Sequence, residues 1–487
     1  MSLIRIAGLC AGLAILNAGC RAPRPTASVG QSGAPTQYAA TPVQLPATVT
    51  SAPTVASVAF QQNSTPVQVA LAPEMCPAGD TELSLPHFVD AVLARNPSLQ
   101  AMTEAWRAAA ERYPQVTSLE DPMIGATLAP GSFGSSDVEG AYALEGSQKL
   151  PWFGKRAARG RAAQAEADAA GQDVQDARLK LVETAQIAFL DYYLVRRQQE
   201  LTVGGVENMR QFRDTAQARY KANQVTQQDM LQADVELTEL DRRKLELDRM
   251  HAIAMARINT LVRLPPNAPV PPPPAQLPPL AAVAELPVLQ HVASQQRPDL
   301  AALAVRVRAE QANVDVAAKD YYPDTEFFGR YDTFWQPAST QGDLRGQAGV
   351  RMNVPLYRGR LNAAVREAEF RLSQRQAEYE QKLLDVGYEV QAAHAQLEES
   401  QKTLVLYSSR LLPIAEQNVA AARTNYEVGK ASFLELAVAQ RQLITLRERH
   451  QEAMATCHRR GAELDRAIGG QSRMAMRGEP IPVPSPQ

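Results

Sequence analysis

Cys20 is the residue whose type and setting most clearly predict a covalent reaction. Small Ala18 and Gly19 precede it, and the run 6–16 is apolar and follows a basic residue. This order is typical of a secretory signal that ends at an acylated cysteine, as in bacterial lipoproteins. The lipoprotein pattern has an aliphatic residue three positions before the cysteine, where this chain has Asn17. An ordinary cleaved signal with an incidental Cys20 therefore stays open, whereas acylation would anchor the chain at about 0.8 kcal/mol per buried CH₂.

Two further cysteines remain after Cys20 in the mature chain, Cys76 and Cys457. An exported chain meets an oxidising compartment, so a disulfide between them is chemically possible. Two unpaired thiols are an equally good interpretation. Two cysteines so far apart do not form a zinc site.

Motifs for catalysis are absent from the sequence. It has no phosphate-binding glycine loop, no Gly-x-Ser-x-Gly and no His-Glu-x-x-His. The six histidines, among them His87, His251 and His458, are scattered, as expected of helix-surface residues. We therefore expect no enzyme, no cofactor and no metal site. The 50 basic and 52 acidic residues also argue against a nucleic-acid partner.

Composition divides the chain into six regions. We expect a signal peptide at 1–20, a disordered Pro/Thr/Ser/Ala-rich tether at 21–81, a first repeat at 82–264, a Pro-rich linker at 265–285, a second repeat at 286–469 and a disordered tail at 470–487. The tether and the tail lack helical periodicity. No later run of apolar residues is long enough for a transmembrane helix.

An internal duplication relates the two repeats. Arg95–Leu99 matches Gln296–Leu300, Leu150–Phe153 matches Val354–Tyr357, and Ala218–Asn223 matches Thr424–Gly429. The offsets drift slowly, from about 201 to about 206 residues, as small insertions would cause. The sequence therefore predicts one fold present twice.

Each repeat contains a long stretch of helical periodicity, 155–263 in the first and 360–468 in the second. As one continuous helix, Lys155–Tyr220 would extend about 100 Å at about 1.5 Å per residue, and a helix of that length must pair along its length. Each stretch has one turn-like break at its middle. We predict the tips of two helical hairpins there, formed by Asn223, Gln224, Val225, Thr226, Gly429, Lys430, Ala431 and Ser432.

Four short segments alternate with a period of two residues, 123–129, 138–149, 325–335 and 344–354. They predict one β-hairpin in each repeat, 121–149 and 324–354. One face of each segment is apolar and the other is charged, which suits a membrane barrel with lipid outside and water inside. Soluble β-hairpins packed on helices would show the same pattern. If the strands are in a membrane, four cannot close a barrel, so several protomers must share one.

Several motifs together resemble the TolC family of outer-membrane efflux ducts, over Leu83 to about Gly470. They are Arg95–Leu99, Leu150–Arg156, Leu412–Pro413, Tyr426–Gly429 and Phe433–Leu436. The resemblance implies a mainly α protein with four transmembrane strands per protomer. It further implies a homotrimer with a shared twelve-stranded barrel in the outer membrane and a periplasmic helical tube. A periplasmic adaptor and an inner-membrane pump are the implied partners.

The resemblance also assigns roles to residues. The hairpin tips are expected to meet the adaptor. The periplasmic gate of the family lies before the second tip, where this chain offers Glu416 and Arg423. The Pro-Trp-Phe-Gly-Lys-Arg variant is most similar to members of heavy-metal resistance-nodulation-division systems, so metal cations or drugs are the expected cargo.

Two other protein classes fit part of the pattern. A lipid-anchored periplasmic coiled-coil scaffold or adhesin without a pore would also have long helices. A periplasmic adaptor would have one helical hairpin between β-rich domains, whereas this chain has two hairpins and few strands. The four alternating segments and the duplication favour the duct.

Overall fold

The computed structural model describes residues 82–133, 141–222, 226–280, 283–332 and 346–470. In chain order the elements are α1 (Leu85–Arg95), α2 (Pro97–Ala110), α3 (Arg112–Thr117), β1 (Met123–Ala129), β2 (Ala141–Leu150), α4 (Lys155–Lys221), α5 (Gln227–Leu261), α6 (Leu286–Gln296), α7 (Pro298–Lys319), β3 (Thr325–Asp332), β4 (Gly346–Met352), α8 (Arg358–Leu406), α9 (Leu412–Glu427) and α10 (Phe433–Ala467). A 3₁₀ turn, Pro130–Ser132, follows β1. The predicted mainly α fold with long helices is confirmed.

The duplication is visible in how each repeat closes. The Asn96 amide donates to the carbonyl of Leu261, the last residue of α5, at 3.1 Å. At the matching place in the second repeat, the Arg297 guanidinium donates to the carbonyl of Ala467, the last residue of α10, at 3.2 Å. Carbonyls in the last turn of a helix lack partners within the helix. Each repeat thus joins its first helices to the end of its last helix.

The strands of both repeats form one antiparallel sheet in the order β1-β2-β3-β4. Within each repeat the strands pair as a hairpin, and β2 pairs with β3 across the repeats from Ala143↔Asp332 to Leu150↔Thr325. Residues 134–140 and 333–345, which include the outer ends of the predicted strands, lie outside the described residues. The sheet is therefore shared by the two halves of the chain.

Three apolar clusters hold the helices together. One belongs to the first repeat and packs α1 against α4 and α5 around Phe88, Phe189 and Ile258. A second belongs to the second repeat and packs α6 and α7 against α8 and α10. The third cluster joins the two helical hairpins near their tips, with Met209 from α4 and Phe433 from α10. Alanines fill many buried positions of α4, which lets neighbouring helices approach closely.

Ion pairs run between the two hairpins. Arg459 and Arg466 of α10 bind Asp191 and Glu183 of α4 at 2.6 and 3.0 Å. Nearer the tips, Arg441 of α10 binds Glu236 of α5. Arg243 of α5 binds Glu448 of α10 at 3.5 Å, so the charges are reversed seven residues further on. Because the charges alternate, a shift of the two helices by one heptad would bring like charges together.

The described part of the Pro-rich linker is docked on the helices. The Tyr192 hydroxyl donates to the carbonyl of Pro271 at 3.1 Å, and Arg197 donates to the carbonyl of Pro274 at 3.0 Å. The backbone N–H of Leu83 donates to the carbonyl of Pro272 at 2.8 Å. Prolines have no backbone N–H and offer only their carbonyls for hydrogen bonding. These carbonyls accept from side chains of α4, so the linker lies across α4.

One break in the second hairpin departs from the prediction. A single break, at the tip, was expected in 360–468, but a π-helical turn, Tyr407–Leu411, separates α8 from α9. Pro413 follows it in the first turn of α9. Proline lacks a backbone N–H and crowds the carbonyl four residues earlier, so the helix widens there. The Ser409 hydroxyl donates to the carbonyl of Val405 at 2.7 Å.

A buried charge cluster lies where α6, α7 and α8 meet. The Arg297 guanidinium forms two hydrogen bonds with the Asp299 carboxylate and one with Glu389. Lys382 lies 3.1 Å from Asp299. Burial alone would raise the pKa of Asp299, but its hydrogen bonds and charge interactions with Arg297 and Lys382 outweigh burial and lower the pKa to about 2. The Asp299 side chain is 19% exposed, so solvent screens the cluster little.

The first prediction concerns acid stability. Since the folded pKa of Asp299 lies below its ordinary value of 3.8, ionised Asp299 stabilises the fold above about pH 4 and loses this effect as the pH falls toward 2. Asp299→Asn should cost about 2 kcal/mol at pH 7, and its deficit should shrink between pH 4 and 2. Unfolding followed by circular dichroism in mild detergent measures this.

Asp315→Asn is the matched control, because the Asp315–Arg161 pair is exposed on both sides. Its cost should stay within a few tenths of 1 kcal/mol. A deficit for Asp299→Asn that does not change down to pH 2.5 would contradict the assignment.

Candidate functional site

One face of the sheet is apolar across all four strands. The cross-strand register puts Ala126, Leu144 and Tyr331 side by side, and it puts Phe327 beside Val350. The exposed apolar residues of this face are Ile124, Leu128, Leu144, Phe327, Val350 and Met352. Ile124 is 87% exposed. A soluble monomer rarely exposes so continuous an apolar surface.

The opposite face is polar. Arg351 of β4 binds Glu326 of β3 at 3.3 Å and reaches Glu145 of β2 at 3.7 Å. Arg330 and Asp332 pair along β3 at 3.1 Å. Removing charges from water costs several kcal/mol per ion, so a face whose charges bridge three strands is suited to water and not to lipid. The alternation predicted from the sequence thus gives the sheet one face suited to lipid and one face suited to water.

Both edge strands of the described sheet have one side without a neighbouring strand. β1 pairs only with β2, and β4 pairs only with β3, among the described residues. An edge strand presents a row of backbone N–H and C=O groups that another strand can bind. The sheet is therefore able to continue into other chains at both sides.

A buried lysine fixes the sheet to the helices. Lys155, the first residue of α4, is 2% exposed. Its Nζ lies 2.9 Å from Asp324 and 3.5 Å from Asp320 and donates to the carbonyl of Tyr322 at 3.1 Å. The Trp152 N–H also donates to Asp324. The sequence motif contains Lys155, but only the fold shows that its partners come from the other repeat.

The first hairpin tip is described only in part. Asn223, Gln224 and Val225 lie outside the described residues. Thr226 is the N-cap of α5, and its backbone N–H donates to the Asp229 carboxylate at 3.2 Å. Asp229 lies three residues after the cap, as in a capping box.

The second tip has the predicted turn chemistry. Gly429 adopts φ 73°, a left-handed conformation that glycine tolerates. The N–H groups of Lys430 and Ala431 donate to the carbonyl of Asn425 at 2.8 and 3.2 Å. The Ser432 hydroxyl caps α10 by accepting from the N–H of Glu435. The tip exposes Gly429 and Lys430 to solvent.

Arg219 ties the two tips together, which the sequence motif alone did not reveal. Its guanidinium donates to the carbonyls of Tyr426 and Glu427 at 2.8 and 3.0 Å. It also lies over the Tyr426 ring, 4.8 Å from the centroid. Burial raises the pKa of the Tyr426 phenol, although Arg219 acts in the opposite direction. The two hairpins therefore end in one joined structure.

The two gate candidates do not form one site. Glu416 binds Arg447 of α10 at 2.8 Å. Arg423 binds Glu427, one turn further along α9, at 3.0 Å. The side chains of Glu416 and Arg423 are 54% and 64% exposed, so both lie on a solvated helix surface of the protomer.

The cysteine predictions have no structural test. Cys20 and Cys76 lie outside the described residues. Cys457 is 1% exposed within α10. Among the described residues no group of three or more His, Cys, Asp or Glu side chains is placed to hold a metal ion. None of the described helices is long and apolar enough to cross a membrane.

Comparison with known proteins identifies the family. The profile of the family described as "Outer membrane efflux protein" matches residues 88–262 and 289–470, one match in each repeat. The chain belongs to this family. Its members are efflux channels rather than enzymes. The resemblance inferred from the motifs is thereby confirmed, while the preference for heavy-metal members stays a prediction.

Individual relatives agree with this family. "Protein CyaE" of Bordetella pertussis is 25% identical over 416 residues, which cover 82% of this chain and 86% of the relative. The outer-membrane channel OprN superposes with TM-score 0.67 at 21% identity, covering 80% of this chain and 90% of OprN. The outer membrane protein VceC of Vibrio cholerae gives 0.67 at 20% identity, with 79% and 96% covered. At these identities the two structures show that the fold is shared.

The second prediction tests the junction at Lys155. Lys155→Met leaves Asp320 and Asp324 without their cation, so it should cost about 3 kcal/mol of unfolding free energy. Combining it with Asp324→Asn should cost less than the sum of the two single changes. Lys149→Met is the control, since its pair with Glu120 is exposed. Additive costs, measured by urea unfolding in detergent, would contradict the pairing.

The third prediction tests the clasp at the tips. Arg219→Gln removes the bonds to Tyr426 and Glu427, so amide hydrogen exchange in 424–432 should accelerate several-fold while global unfolding changes little. Arg210→Gln, an exposed change on the same helix, should leave this exchange as it was. Equal exchange in both variants would show that Arg219 does not join the tips.

Proposed function

We propose that this chain is one protomer of a trimeric outer-membrane efflux channel and not an enzyme. The observation that carries the proposal is the four-stranded sheet, apolar on one face and charged on the other, joined to two long helical hairpins. A channel needs an outer surface that lipid tolerates and an inner surface that water tolerates, and this sheet has both. Family membership supports the same function.

The open sheet edges support a barrel shared between protomers. In hydrocarbon, the unpaired backbone groups of β1 and β4 would cost several kcal/mol each. Pairing β1 of one protomer with β4 of the next satisfies both edges. Three protomers then contribute twelve strands, and the polar face around Arg351 and Glu145 would line the water-filled interior.

The finer assignments follow the family resemblance. The joined tips, 223–226 and 429–432, would meet a periplasmic adaptor, which in turn contacts an inner-membrane pump. Glu416 and Arg423 would act at the periplasmic gate. Acylated Cys20 would hold the chain in the outer membrane. Metal cations or drugs are the proposed cargo, and a Cys76–Cys457 disulfide and two separate thiols both remain compatible with the sequence.

The alternative, a lipid-anchored coiled-coil scaffold or adhesin without a pore, has less support. A scaffold has no need for an exposed apolar sheet face, nor for charges on the opposite face. The efflux family match over both repeats also favours the channel.

The direct test is assembly and conductance. Protein extracted from membranes in mild detergent should have the mass of a trimer after subtraction of detergent. Reconstituted into a planar bilayer and opened with an adaptor, it should conduct ions. A monomeric or dimeric mass, with no conductance, would reject the channel and leave the scaffold.

A matched pair of variants tests which face meets lipid. Leu128 and Thr127 are neighbours on β1, on the apolar and polar faces respectively, and both lie away from the helical end of the strand. A lysine on the lipid side costs about 2–4 kcal/mol near the bilayer centre, so Leu128→Lys should sharply reduce the trimer recovered from membranes. Thr127→Lys should assemble normally. The opposite order, or equal recovery, would show that the apolar face does not contact lipid.

A further inference from the structure

The four segments that connect strands to helices all lie at one end of the sheet. They precede β1 and β3 and follow β2 and β4, and antiparallel pairing puts these strand ends together. These connections, together with the adjoining ends of β2, α4, α7 and α8, are called the basal collar; its ranges are 119–122, 149–160, 319–324 and 353–360. The apolar face of the sheet ends at the collar, and α4 and α8 begin in it.

The collar is positively charged in a chain that is not. Its thirty residues contain seven lysines and arginines and four carboxylates, whereas the whole chain has net charge −2. Buried Lys155 pairs with both Asp320 and Asp324, and Lys149 pairs with Glu120 at 3.4 Å. The carboxylates of the collar are thus largely engaged, and cations remain.

Two of these cations are exposed and lack an acidic partner. Arg358 and Arg360, at the start of α8, are both exposed. Across the described part of the chain, no carboxylate lies within salt-bridge distance of either guanidinium. The Arg358 guanidinium lies over the Tyr321 ring, 5.6 Å from the centroid. This contact holds the Arg358 side chain against the collar and leaves its N–H donors free.

Aromatic side chains accompany these cations. Five of the thirty collar residues are Phe, Trp or Tyr, against 6% in the chain. Phe153 and Tyr357, which occupy matching positions of the two repeats, are 87% and 81% exposed. The Trp152 ring stacks on Tyr322 at 5.6 Å and 7°, which joins the collar segments of the two repeats. The duplication has therefore placed one exposed aromatic ring in each repeat.

Aromatic rings at the end of an apolar surface, followed by arginines, match the order of chemical groups at a bilayer surface. Aromatic side chains prefer the boundary between acyl chains and headgroups. Arginine binds phosphate through several N–H donors. We propose that the basal collar binds anionic phospholipid headgroups of the leaflet on the helical side of the membrane. This inference rests on the proposed function, because it requires the sheet to lie in a bilayer.

The test measures lipid selectivity of the reconstituted protein. Spin-labelled phosphatidylglycerol and phosphatidylcholine are compared for association with the protein surface in phosphatidylcholine vesicles. The wild-type protein should prefer phosphatidylglycerol, and the preference should fall as sodium chloride is added, since salt screens exposed charges. Equal association of phosphatidylglycerol and phosphatidylcholine would overturn the proposal. A preference for phosphatidylglycerol that salt does not change would also overturn it.

Arg358→Gln combined with Arg360→Gln should lower the preference for phosphatidylglycerol about fivefold or more, because each cation near an anionic membrane surface strengthens the attraction. Arg242→Gln combined with Lys402→Gln removes the same charge from exposed helix positions and should keep the preference. Arg358→Lys with Arg360→Lys, which retains the charge, should keep most of it. Equal losses in the glutamine variant and its control overturn the proposal.

Two further measurements distinguish lipid binding from phosphate-ion binding and from a failure of membrane insertion. If inorganic phosphate raises the thermal midpoint in neutral detergent as much as phosphatidylglycerol does, the collar is a phosphate-ion site and the lipid proposal is wrong. If the protein does not insert into vesicles at all, the proposed function fails. Insertion as a trimer without lipid preference rejects only this inference.

Discussion

Backbone hydrogen bonding at the sheet edges is the constraint on which the rest of the structure depends. Four strands with one apolar face cannot lie in hydrocarbon while β1 and β4 have unpaired sides. In the proposed trimer, strands of the neighbouring protomers satisfy these edges, so each protomer supplies one segment of the barrel. The polar face then lines water, which explains charges such as Arg351 and Glu145 on the face opposite the apolar one.

The coupling between repeats follows from the same requirement. A segment made of two hairpins requires its two halves to keep one strand register. Lys155 joins the start of α4 to the segment just before β3. Arg219 joins the two hairpins at their tips. Between them, Arg459, Arg441 and Arg243 connect α10 to the first hairpin. The cross-repeat contacts therefore extend along the helices and do not rest on a single interface.

Much of this architecture could be predicted from the sequence, because periodicity and turn chemistry act locally. The helix ends near Lys155 and Lys221, the strand Met123–Ala129 and the turn at Gly429 follow from local pattern. The π turn before Pro413 was missed, since a proline after a helical pattern does not say how the preceding turn adapts. The partners of Lys155 and Arg219 were also missed, because they lie in the other repeat and no local spacing encodes them. Glu416 and Arg423 fit a sequence position but bind different partners.

The β2–β3 pairing has a consequence for how the chain matures. Leu150 and Thr325, which meet at the base of the sheet, are 175 residues apart. Contacts at such separation form late, because the entropy of closing the loop must be lost before they contribute. During export the first β-hairpin therefore emerges without its neighbour, and a lone two-stranded hairpin is marginally stable. The four-stranded apolar face is therefore complete only after the second repeat has been made.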